Sequence, residues 1–211
     1  MSQTVSELRR KLTLAGCTLL HAFTHAYGAV LVPLYILIAR DLGLGGVGWV
    51  TLIVAVYGLV YCWGSYLSGV LADRVDRRWL LAVGLLGNAL AIMGMGFTHQ
   101  YWVLLALGVI GGLFGTLFHP AAISLCAAHY PKHPGMAVGV MGAGAGMGFF
   151  FGPQFAGWRA QAGKWSMAGM SEWQRPLIEI GLLGIVSALV FILMAAESQA
   201  RRQRMARRNR S

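Results

Sequence analysis

The stretch Gly69-Val70-Leu71-Ala72-Asp73-Arg74-Val75-Asp76-Arg77-Arg78 decides how this chain is built. An apolar run, Trp49–Ala72, leads into it and another, Trp79–Phe97, leads out. Each is long enough to cross hydrocarbon, for which a helix needs about 20 residues. A polar turn this short therefore joins two crossing helices at one bilayer surface. Asp73, at the end of the earlier run, is placed to pair with Arg77 or to accept amide hydrogen bonds at a neighbouring helix start. Gly69 permits close approach of another helix.

Outward from this turn the pattern repeats. Four further apolar runs, Leu12–Ala39, Tyr101–Ala128, Met136–Gly157 and Pro176–Ala196, make six in all. None alternates with the period of two that marks a strand, so each reads as a helix. Composition agrees: 57% of the 211 residues are hydrophobic and 11% charged, where a soluble domain has about 25% charged residues. Such a chain has too little polar surface for a water-soluble globule and too much apolar content for disorder. Cys17, Cys62 and Cys126 sit inside apolar runs and form no disulfide framework. No Ser/His/Asp arrangement, phosphate loop or metal-binding cysteine pair is present, so the sequence predicts no enzyme, and no metal or cofactor is assigned.

Basic residues set the expected orientation. Arg9, Arg10, Lys11, Arg74, Arg77, Arg78, Lys132 and six arginines in Arg201–Arg210 fall on one side, and Arg40, Arg159, Lys164 and Arg175 on the other. The positive-inside rule then puts both termini in the cytoplasm. The expected organisation is a cytoplasmic N-terminus at 1–11, a six-helix membrane domain at 12–196 and a basic cytoplasmic tail at 197–211. The first run is longer than a signal-peptide core and carries two histidines, so it reads as an uncleaved helix. The net charge of +10 is assigned to a topology-fixing tail beside anionic lipid, with no nucleic-acid partner. Trp158, Trp165 and Trp173 in the longest external loop read as an aromatic belt at headgroup level.

In the fifth run Gly144, Gly148 and Gly152 recur every four residues, Gly142 and Gly146 form a second such row, and the run ends Gly152-Pro153-Gln154-Phe155-Ala156-Gly157. Small residues at this spacing let helix backbones approach closely, and Pro153 is expected to bend the helix. The fourth run carries Gly115-Thr116-Leu117-Phe118-His119-Pro120.

The turn at Gly69–Arg78 resembles the signature loop of the major facilitator superfamily, with Asp76 where the family has glycine. The resemblance implies a latch between two six-helix halves, involving Gly69, Asp73, Arg74, Arg77 and Arg78. Gly148, Gly152, Pro153 and Gly157 resemble the family's antiporter motif, with Ala156 replacing one glycine. His21, Pro33 and Phe118-His119-Pro120 look like the fosmidomycin-resistance branch. His25 stands where that branch has an acid, and the fourth run lacks the family's arginine. The implied fold is an all-α integral membrane half of a major-facilitator protein: six helices in two inverted three-helix repeats.

Few polar groups lie within the runs. Cys17, His21 and His25 share one stripe of the first helix. At 1.5 Å per residue, His21 and His119 both lie roughly 13 Å from the cytoplasmic ends of their helices and meet at one level. Three readings stay open: interhelical packing, a substrate or proton cavity, and a soft metal or haem site. The resemblance implies that the first and fourth helices line a cavity, so His21 and His119 are expected to face a common interior, with His25 one turn further out. With no carboxylate nearby in this half, the histidines are expected to be neutral at pH 7. Asn88 and Gln154 are weaker cavity candidates, and Glu179 is read as reaching the interface. Two functions follow. One is a half-size transporter of a small organic solute in a bacterial inner membrane, by proton-coupled antiport, acting as a homodimer or with a second half. The other is a non-transporting subunit packed against a larger membrane complex.

Overall fold

Proline and glycine positions explain where the helices of this computed structural model, which describes residues 6–161 and 169–196, begin, break and touch. The elements are α1 (Glu7–Ala29), a 3-10 turn (Val32–Leu34), α2 (Tyr35–Asp41), α3 (Gly48–Arg74), α4 (Arg77–Met95), α5 (Tyr101–Gly115), α6 (Phe118–His129), α7 (Pro134–Gln161) and α8 (Gln174–Met194). They make six membrane-crossing segments: Glu7–Asp41, Gly48–Arg74, Arg77–Met95, Tyr101–His129, Pro134–Gln161 and Gln174–Met194. The protein is an all-helical, multi-pass membrane protein. The 197–211 tail and Trp165 lie outside the described residues, as do residues 1–5.

Two of the expected continuous helices are broken. The first divides at Pro33 and the fourth at Thr116-Leu117, four residues before Pro120 would bond. Proline lacks the amide proton and its ring clashes with the carbonyl four residues back. Pro120 thus frees the carbonyl of Thr116, which accepts a hydrogen bond from Ser68 Oγ on α3 at 2.7 Å. Pro153, by contrast, lies inside α7 without interrupting it.

The bundle pairs α1 with α7, α4 with α8, and α5 with both α3 and α4; α6 reaches α1, α3, α4 and α7. The α1–α7 seam is the tightest. A Cβ at Gly144 would collide with the Thr18 carbonyl, one at Gly148 with the Ala22 carbonyl, and one at Gly152 with Ala26 Cα at 2.8 Å. Ala156 continues this buried row. Gly142 and Gly146, the second expected row, face open space instead. Gly69 also needs no exemption, because a Cβ there would meet Pro120 at an ordinary 4.0 Å. The close approach on α3 is at Gly64, where a Cβ would overlap the Thr116 side chain.

At the α3–α4 turn, Asp76 is the N-cap of α4: Oδ1 accepts from the Arg78 amide at 3.0 Å, and Oδ2 from Arg78 Nη2 at 2.8 Å. Arg78 also donates to the Ala195 carbonyl beyond α8 at 3.3 Å. Asp73 lies 3.9 Å from Arg77 with 83% of its side chain exposed. The residue that replaces the family's glycine therefore makes the cap, and Asp73 is left facing outward.

Candidate functional site

His21 and His25 sit one helical turn apart on α1, so their rings lie above one another on one face. The break at Pro120 starts α6 with Phe118 and His119 in its first turn. These two placements bring the three histidines together. His21 and His119 ring centres are 5.1 Å apart, His25 and His119 5.6 Å, and His21 and His25 4.7 Å. One nitrogen from each lies within 4.8 Å of the others. Phe118 stacks on His21 at 4.8 Å.

The hydrogen bonds define proton positions. His21 Nδ1 lies 2.9 Å from the Met141 carbonyl of α7. A carbonyl only accepts, so Nδ1 carries the proton and Nε2 presents a lone pair. That lone pair faces His25 Nε2 at 3.0 Å, which donates to it in the neutral state. Among the described residues neither ring nitrogen of His119 has a hydrogen-bond partner. His21 is 4% exposed, while His25 and His119 are half-buried.

Two residues that sequence reasoning passed over, Tyr61 and Phe149, complete the rim. Tyr61 of α3 stands 5.5 Å from His119 and 6.4 Å from His25, ring to ring. Its hydroxyl is buried and, among the described residues, has no hydrogen-bond partner. Phe149 of α7 lies 4.6 Å from His25. Tyr61 and Phe149 read as ordinary span residues, whereas Phe118 stands out with His119 in the Phe118-His119-Pro120 motif. Cys17 continues the α1 stripe one turn before His21 and is buried beside Cys126 of α6.

The remaining candidates do not join the cluster. Asn88, 1% exposed, donates to Tyr57 Oη at 2.9 Å and ties α4 to α3. Gln154 is exposed on α7. Glu179 does more than reach an interface: it binds Arg159 of α7 through both carboxylate oxygens at 2.5 Å, and Arg175 at 2.8 Å. Trp158 is 63% exposed, as a belt residue is. Trp173 is 1% exposed, and its Nε1 donates to Asp41 Oδ2 at 2.9 Å, so it is a buried tie to the end of α2.

Comparison with known proteins bears on this geometry. The Major Facilitator Superfamily profile matches residues 14–211. Multidrug resistance protein MdtG of Klebsiella pneumoniae is 33% identical over 153 residues, covering 70% of this chain and 36% of MdtG. Quinolone resistance protein NorA of Staphylococcus aureus is 26% identical over 166 residues, covering 78% of this chain and 40% of NorA. The crystal structure of a bacterial homologue of the human lysosomal transporter Spinster, inward-facing and unoccupied, superposes with a TM-score of 0.81 at 20% identity. That overlap takes in 92% of this chain and 44% of the other. The chain spans less than half the length of the relatives it matches.

Proposed function

The chain belongs to the major facilitator superfamily, and from that premise we propose that its six helices form one half of a carrier for a small organic solute. The observation that carries this reading is the histidine triangle, which draws rings from two separate spans and is bordered by α3 and α7. Buried polar groups in a membrane bundle are costly and mark solute or ion pathways. The same two helices leave large apolar side chains uncovered. Trp63, Tyr66 and Leu67 on α3 are 75%, 82% and 71% exposed, and Phe150 on α7 is 62% exposed.

A second six-helix unit covers these faces in our reading and closes the cavity over His25 and His119. It is a second copy, a separate chain, or further sequence of a longer one. Asp73 and Arg74, exposed at the end of α3, make the latch to that unit. Both ends face the cytoplasm of a bacterial inner membrane, and solute exchange against protons uses the neutral imidazoles as donors and acceptors. Assignment to the fosmidomycin-resistance branch rests on His21, Pro33 and Phe118-His119-Pro120.

The test is accumulation of a quinolone and of ethidium in an efflux-deficient host expressing the chain with its second unit. The expected result is lowered accumulation that returns to the host level with His119→Ala. Unchanged accumulation of all tested solutes, with the protein in the membrane and co-purifying with a larger complex, would favour the non-transporting subunit.

A further inference from the structure

We propose that His21, His25 and His119 form a binding site for a first-row divalent transition-metal ion of the Zn2+ kind. The inference rests on the cluster being a site that ligands reach, and it names the class of ligand.

Geometry is the first support. Ligand nitrogens at about 2.0–2.1 Å from a tetrahedral metal lie roughly 3.4 Å from each other. The three histidine nitrogens lie within 4.8 Å of one another, and the His21–His25 pair is at 3.0 Å. Closing the widest side needs adjustment mainly of His119, whose ring nitrogens are held by no hydrogen bond among the described residues.

The bond from His21 Nδ1 to the Met141 carbonyl is the second support. Metal-bound histidines characteristically donate their other ring proton to a backbone carbonyl or carboxylate, which fixes the ring and raises the basicity of the ligating nitrogen. Here that bond already turns a bare Nε2 toward the other two rings. His25 needs only a tautomer change to follow.

Chemistry selects the ion. Three neutral imidazoles suit Zn2+, Co2+, Ni2+ or Cu2+, while Mg2+ and Ca2+ require oxygen ligands that the cluster lacks. Cys17, which would favour a softer ion, lies one turn along α1 beside Cys126 and is not among the ligand atoms that converge. Three protein ligands leave a fourth position for water or an anionic group of a solute, as in open metal sites. Tyr61, whose hydroxyl has no hydrogen-bond partner among the described residues, borders this space.

The experiment is Co2+ titration of the full chain, purified without a histidine tag and held in lipid nanodiscs. The expected result is one Co2+ per chain, with the intense visible bands of four-coordinate cobalt, displaced by Zn2+. His25→Ala and His119→Ala should each weaken binding by about 100-fold or more, since losing even an outer-shell partner costs 10–100-fold. The double variant His99→Ala/His133→Ala, which removes exposed histidines, should leave it unchanged. X-ray absorption of the zinc-loaded wild type should show three imidazole nitrogens, a readout that does not depend on any variant folding.

Absent bands, bands that persist in both cluster variants, or an oxygen-dominated metal shell would overturn the proposal. Flux is measured separately. Solute transport that needs His119 but proceeds without metal binding would end the metal site and leave the carrier. Metal binding with no flux would do the reverse.

Discussion

A histidine, an asparagine and a glutamate show how differently polar residues are used in this bundle. The equal depth of His21 and His119 follows from helical rise alone, whereas their facing one another is what the family resemblance implies, since the first and fourth helices line its cavity. Asn88 gave no comparable clue. It reads as a cavity candidate because it is polar, yet its amide donates to Tyr57, and its Oδ1 is buried with no partner among the described residues. Interhelical hydrogen bonds in membrane proteins are worth about 0.6 kcal/mol, rising to about 1.7. Tyr57→Phe should therefore destabilise the wild type by an amount in that range, and by less in an Asn88→Leu background. Equilibrium unfolding in mixed micelles of the four proteins measures the coupling, and equal losses in both backgrounds would deny it. Glu179 was illegible for another reason. Its partner Arg159 is 20 residues away across the α7–α8 connection, and only packing of α7 near α8 brings the charges together.

Helix boundaries were legible where hydropathy changes and hidden where it does not. The six runs are separated by charged, polar or glycine-rich stretches, so all six crossings could be read from the sequence. The break between α5 and α6 lies inside an unbroken apolar stretch, and a proline there alters hydrogen bonding without altering hydropathy. The glycines of α7 were legible as rows, but spacing alone does not say which row meets a neighbour. The structure separates them: Gly148 lies against the Ala22 carbonyl, and Gly146 faces nothing within 4 Å. Gly148→Ala should force α1 and α7 apart at a cost of about 1–3 kcal/mol, typical of overpacking. Gly146→Ala should be neutral or stabilising by up to about 1 kcal/mol, because alanine is the better helix former. Thermal loss of the monodisperse peak on fluorescence-detected chromatography compares the two. The same logic explains the α3–α4 turn, where Asp73 and Asp76 are equally acidic in sequence and only backbone geometry at the start of α4 decides which one caps it.

At the scale of the molecule, the thirteen basic residues on one side against four on the other make a definite expectation for topology. In a chain stripped of its own cysteines, Gly45→Cys should react with a membrane-impermeant maleimide applied to intact cells. Lys132→Cys should react only after permeabilisation. The opposite pattern would invert the orientation. Within that frame the histidine triangle has an unequal mounting. Two corners ride on α1, whose backbone is seated directly on that of α7, and the third rides on α6, which begins at a break fastened by one serine hydroxyl. A swing of α6 about that joint would alter two sides of the triangle and leave the third untouched. The cluster is thereby a built-in goniometer, in which the angle of one half-helix is written as a difference between interatomic lengths.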